Sequence, residues 1–142
     1  MQDSEFADTV ALICKEDNRF DRQAYNFVRL GLDHTVKELR KKDSSGSVRM
    51  RHVSGQELLE GIRKFALNQF GPMTTTVFEE WNIRHCRDFG EIVFNMVEIG
   101  LLAKTEKDTR DDFQNGYDFT DAFRKPFWPQ SKLKAETKPL VG

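Results

Sequence analysis

Apolar positions recur at helical spacing over most of this chain. From Ser4 to Lys15, Phe6, Val10 and Ile13 mark one face of a short amphipathic helix, with Ser4 placed to accept a hydrogen bond from a first-turn N–H. A longer helix is expected after Asp21, where Ala24, Val28, Leu32, Thr35, Val36 and Leu39 form a stripe that Tyr25 and Phe27 widen. Arg40, Lys41 and Lys42 follow at its C-terminal end, where positive charge complements the macrodipole. Asp43 to Ser47 then reads as a flexible connector, and the pattern resumes near Val53.

Ser54 and Glu57 have the spacing of a capping box, in which each residue satisfies a backbone N–H of the other. The helix it opens has Leu58, Leu59, Ile62, Phe65, Ala66 and Phe70 on its buried face, and Gly71-Pro72 stops it. Thr74 or Thr75 is expected to cap a shorter helix carrying Val77, Phe78 and Trp81, with the turn at Asn82-Ile83. Asp88 and Glu91 form a second capping-box-like pair ahead of the stripe Phe89, Ile92, Val93, Met96 and Val97, which ends at Gly100. The period then shortens: Leu101 to Thr105 reads as a strand, Glu106 to Gly116 as a polar tip, and Tyr117 to Phe119 as a returning strand.

Three helices joined by tight turns and followed by such a hairpin define a winged helix-turn-helix. The expected fold is therefore mainly α with a small β-wing, and with an added N-terminal helical pair. One domain over residues 1–123 is expected, comprising N-terminal helices 4–42, a connector 43–53, and a core and wing 54–123. A flexible Pro/Lys-rich tail, 124–142, follows; Pro126, Pro129 and Pro139 deny it a helix, and Phe127 and Trp128 are its candidate anchor points.

Twelve Phe in 142 residues suit one core rather than two. The formal net charge is only −1, so no global field draws the chain to nucleic acid or a membrane, and any such role needs a local patch. Two cysteines, Cys14 and Cys86, are too few and too scattered for a disulfide framework; with neither leader nor long apolar run in view, the expectation is a cytoplasmic protein with reduced thiols and no membrane span.

The segments Arg51 to Met73 and Asp88 to Asp108, the GYDF of Gly116 to Phe119 and the AYNFVRLGLDHTV of Ala24 to Val36 resemble a small family of planctomycete and verrucomicrobial bacteria. The resemblance implies a bacterial, single-domain, cytoplasmic protein, and it brings no assigned activity or functional residues with it. Val97 to Phe119 also looks like the recognition-helix end and wing of the multiple-antibiotic-resistance type of bacterial regulator, with Asp108-Thr109-Arg110 in the place of that wing's tip triplet. The dimerising terminal helices of such regulators have no counterpart in the proline-broken stretch after Phe123.

Two surfaces compete for the function. If the third motif helix enters a major groove, Arg84, His85 and Arg87 approach the nucleic acid, with Thr74 and Thr75 at the start of the preceding helix and Lys107 and Arg110 on the wing. Against that, Glu91, Glu98, Glu106, Asp108, Asp111 and Asp112 on the same elements repel a phosphate backbone. An acidic tip better suits a protein partner, so the leading expectation is a non-enzymatic binding or adaptor module contacting an unidentified protein through Asp108, Asp111, Asp112, Phe127 and Trp128. The alternative is a DNA-binding transcriptional regulator.

Basic residues also cluster at Arg40, Lys41, Lys42, Arg49, Arg51 and His52, and in the tail at Lys125, Lys132, Lys134 and Lys138, where solvated side chains are the commoner explanation. The aspartates lack the order and terminal glutamate of a calcium loop, and His85-Cys86 lacks a second pair at zinc-site spacing. With no phosphate loop, nucleophile elbow or paired-carboxylate pattern, neither metal, cofactor nor catalytic residues are assigned.

Overall fold

The computed structural model describes residues 3–42 and 52–129. α1 (Asp3–Glu16) buries Phe6, Val10 and Ile13, as their spacing requires, but it begins ahead of Ser4, which lies inside the first turn instead of capping it. α2 (Arg22–Lys42) is preceded by Asp21, whose Oδ1 accepts from the Gln23 N–H at 2.8 Å. α3 (Gly55–Phe70) opens on the full capping box: Ser54 Oγ accepts from Glu57 N at 3.1 Å, and Glu57 Oε1 accepts from Ser54 N at 3.0 Å.

α4 (Thr74–Glu80) and α5 (Cys86–Glu98) start differently from the sequence expectation. Thr74 Oγ1 donates backward, to Gly71 O at 2.7 Å and Ala66 O at 3.3 Å, tying α4 to the carbonyl end of α3 instead of capping its own N–H groups. At α5 the satisfying carboxylate is Asp88, whose Oδ2 accepts from Arg84 N at 2.8 Å and His85 N at 3.0 Å; the cap thus lies one turn ahead of the expected Asp88 and Glu91 pair. Asn82, with φ of 63°, supplies the left-handed residue of the turn between the two helices.

α2 and α3 cross closely because Gly61 carries no side chain: a Cβ there would fall 1.8 Å from Thr35 Oγ1. Thr35 is buried and donates that hydroxyl to Gly31 O at 2.7 Å, so its polar atom is satisfied within α2. Behind the crossing lies an aromatic core. Phe78 is fully buried, with ring centroids of Phe27, Phe89 and Phe123 at 5.5, 5.4 and 5.3 Å and steep edge-to-face angles of 66°, 79° and 83°. This is the arrangement that the quadrupoles of aromatic rings favour, and it explains where the phenylalanine-rich composition goes.

Among the described residues there is no β-strand, so the expected wing is absent and the fold is a helical bundle, not a winged helix-turn-helix. Each part of the expected hairpin bonds to a helix instead of to a partner strand. Leu101 N and Leu102 N both donate to Met96 O, at 2.8 and 3.3 Å, closing the end of α5. The polar tip folds into a 3-10 turn, Arg110–Phe113, in which Asp112 Oδ2 accepts from Thr109 N at 3.0 Å and Phe113 is buried against α5.

The returning segment is held on both sides. Tyr117 donates its hydroxyl to Leu59 O at 2.8 Å, and the Cys86 thiol donates to Tyr117 O at 3.3 Å. One wide turn, Thr120–Arg124, then buries Ala122 and Phe123, and a 3-10 turn, Lys125–Phe127, follows. Regular structure therefore continues past residue 124, where the tail was expected to begin. The remainder of that tail, 130–142, and connector residues 43–51 lie outside the described residues.

Candidate functional site

The C-terminal half of α2, the start of α3, the last turns of α5 and the 102–113 segment enclose a cavity of about 340 Å³. α2 contributes Leu32, Val36 and Leu39, α5 contributes Val93, Phe94 and Val97, and Val53, Leu58, Leu102 and Phe113 complete the apolar wall. The sequence brings these together because the stripe of α2 runs on past Thr35, where Leu32, Val36 and Leu39 stay half-buried beside Leu58 of α3 and Val93 and Val97 of α5. The volume lies within the range of small-molecule pockets, roughly 300–1,000 Å³.

The rim is polar. Arg40, His52, Ser54 and Lys104 line the cavity and are exposed. His52 Nε2 and Asp108 Oδ2 are 2.5 Å apart, joining the chain just ahead of α3 to the 102–113 segment. Burial pushes the Asp108 carboxyl up, but hydrogen bonds from the Thr105 backbone and from His52 outweigh it and hold the group below its ordinary range. Thr105 supplies its N–H at 2.8 Å and its hydroxyl at 3.2 Å to the same Oδ2. One oxygen of the Asp108 carboxylate is therefore held by three donors at the rim.

The expected nucleic-acid contacts are scattered by the fold. Thr74 and Thr75 are buried, at 0% and 8% exposure, and cannot meet a ligand at the surface. Arg110 bridges Glu91 and Glu98 at 3.0 and 3.2 Å, with its guanidinium 5.3 Å from the Phe94 ring centre. That strap lies along the face of α5 which a groove-reading helix would have to present. Arg84, His85, Arg87 and Lys107 are exposed. Of the other basic residues, Arg49, Arg51, Lys132, Lys134 and Lys138 fall outside the described residues.

The expected protein contacts divide in the same way. Asp108 and Asp112 are consumed as local caps, and only Asp111 of the three is fully on the outside. Phe127 is 45% exposed, while Trp128 is half-buried with the Lys125 ammonium 5.8 Å from its ring centre.

Sequence reasoning missed the cavity, although His52, Val93 and Val97 were each in view. The available signal is the run of apolar residues at the C-terminal ends of both α2 and α5. Among the described residues no group of three or more His, Cys, Asp or Glu is placed to hold a metal ion, and no helix is long and apolar enough to cross a membrane. No protein-family model, curated protein or solved structure matches the chain.

Proposed function

We propose that the protein is a non-enzymatic binding module that works through the cavity between α2, α3 and α5, receiving an apolar group there. The observation that carries this reading is the cavity itself. Its wall is apolar, formed by Leu32, Val36, Leu39, Val93, Phe94 and Val97, and its volume of about 340 Å³ is that of a small-molecule site, so an apolar group entering the open mouth has a matching surface to cover.

The non-enzymatic part is supported by the state of two potential nucleophiles, Ser54 at the rim and Cys86 outside the cavity lining. Ser54 Oγ serves the α3 cap, and the Cys86 thiol is buried and pushed up to about 11 by that burial. Contact with a partner through the acidic segment draws less support, because Asp108 and Asp112 are engaged within it. Among the described residues, the pairing of Arg110 with Glu91 and Glu98 gives the DNA alternative less support than this reading.

The lining is rich in leucine and valine, which suits a direct test. In protein labelled on Leu and Val methyls, titration with 1-octanol should shift the resonances of Leu32, Val36, Val93, Val97 and Leu102 and leave those of Leu12 and Leu30 still. Absence of saturable shifts at the lining methyls would sink the proposal.

A further inference from the structure

One contact at the cavity mouth joins two pieces of its wall, and its regulatory role rests on the binding reading above. His52 stands next to Val53 in the chain ahead of α3, and Asp108 follows the lining residues Leu102, Ala103 and Lys104. The hydrogen bond between His52 Nε2 and Asp108 Oδ2 therefore spans the rim from one piece to the other.

The 102–113 segment is not held equally along its length. Phe113 rests on Gly90 and Gly55, where a built Cβ would stand 2.8 and 3.2 Å from it, and that apolar contact does not titrate. From Ala103 to Thr109, by contrast, every residue but Asp108 is exposed. What anchors this stretch is the Asp108 carboxylate. Its Oδ2 takes the Thr105 N–H and hydroxyl, which folds the turn on itself, and His52, which ties the turn to the start of α3.

An imidazole is the side chain whose charge ordinarily changes between about pH 5 and 8; carboxylate, ammonium and guanidinium groups do not change theirs there. Arg40 of α2 and Lys104 line the rim beside His52, Glu57 of α3 is turned to the Ser54 N–H, and Asp112 is turned to the Thr109 N–H. Glu106 and Lys107, exposed within the turn, oppose each other in sign. Burial raises the Asp108 carboxyl, but the bonds from Thr105 and His52 outweigh it and keep the group an anion. With the ring protonated, the contact is a charge-assisted hydrogen bond; once the ring has lost its proton, it is an ordinary and weaker one. Acidification from about pH 8 to 5.5 thus tightens the contact.

We infer that the contact between His52 and Asp108 is a pH-sensitive latch on the cavity mouth, which in its protonated form fixes the exposed 103–109 stretch of the wall in the arrangement that receives the apolar group. Ligand and latch favour the same arrangement, so each strengthens the other by the same factor.

The test uses 1-octanol, which does not ionise in this range, titrated into the full chain at about pH 5.5 and 8 and read by Leu and Val methyl shifts. Binding should be about two- to fivefold tighter at the lower pH, the scale of a partly exposed ion pair. His52→Gln, which keeps a donor but does not titrate, and Asp108→Asn should each bind equally at both. Without ligand, the Val53 and Leu102 methyls should move over the same pH range in the parent and hold still in His52→Gln. If the parent binds equally at both pH values, or His52→Gln keeps the parent's pH dependence, the latch is overturned while the binding module stands. If 1-octanol moves no lining methyl at either pH, both fall.

Discussion

Gly90 lies directly beneath Phe113: a Cβ built on Gly90 would stand 2.8 Å from both Cβ and Cγ of Phe113. Because the clash involves Phe113 Cβ, rotating the ring does not relieve it, and the 3-10 turn itself would have to lift from α5. Gly90→Ala is expected to lower stability by about 1–3 kcal/mol through overpacking, even though alanine is the better helix former by roughly 0.5–1 kcal/mol. Urea unfolding gives the answer. A variant as stable as the parent, or more so, would show that residues 110–113 do not rest on α5 in solution.

That pair also explains why the helices were legible in the sequence and the wing was not. A buried stripe such as Phe89, Ile92 and Met96 declares itself by spacing alone, and the Ser54 and Glu57 box marks a helix start from two residues. The segment from Leu101 to Phe119 has short alternations equally compatible with strands. Its conformation is decided by distant partners: Gly55 and Gly90, which leave space for Asp112 and Phe113, and Cys86, whose Sγ lies 2.6 Å from where a Gly116 Cβ would be. A linear reading finds glycines but not what rests on them. The cavity was hidden for the same reason, since Leu39 and Val97 carry the spacing of core residues and only the fold shows them lining an open space.

Asp17 ties the turn after α1 to α5. Its carboxylate accepts from Arg19 Nε at 2.9 Å and Nη2 at 2.7 Å and from Asn95 Nδ2 at 3.0 Å, and Asn95 also donates to the buried Tyr25 hydroxyl at 3.0 Å. The Arg19 hydrogen bonds hold the Asp17 carboxyl well below its ordinary 3.8, against the opposing effect of burial. A depressed folded value means that the unfolded chain takes up the proton first. The contribution is complete above the unfolded value and is lost as the pH falls toward the folded one. Stability should therefore drop below about pH 4, and Asp17→Asn should flatten that limb while costing about 1 kcal/mol near neutrality, the upper end for a partly exposed pair. Parallel acid limbs for parent and variant would remove Asp17 from the account.

Burial raises the Cys86 thiol from an ordinary 9.0 to about 11. Two units reduce the thiolate fraction at pH 8 roughly a hundredfold, before steric protection is counted. In a Cys14→Ser background, Cys86 should react with a disulfide reagent at least that much more slowly in native protein than in urea. Equal rates in both would mean that the Gly116 to Tyr117 segment does not cover the thiol.

The three aspartates of the 105–112 segment separate a structural role from a contact role. Asp108 and Asp112 each accept a backbone N–H, from Thr105 at 2.8 Å and from Thr109 at 3.0 Å, whereas Asp111 is exposed. Loss of a cap of this type costs about 0.5–2 kcal/mol, and a surface substitution away from such features stays within about 0.5 kcal/mol. Asp108→Ala and Asp112→Ala should thus lower the unfolding midpoint, and Asp111→Ala should leave it in place. Asp108→Ala should additionally release His52 from the cavity rim and weaken the response of the lining methyls to 1-octanol, an effect that a loss of acidic surface charge alone does not produce. If Asp111→Ala proves as damaging as the other two, the segment acts through its charge and not through its caps, and the acidic surface returns as the place where a partner is met.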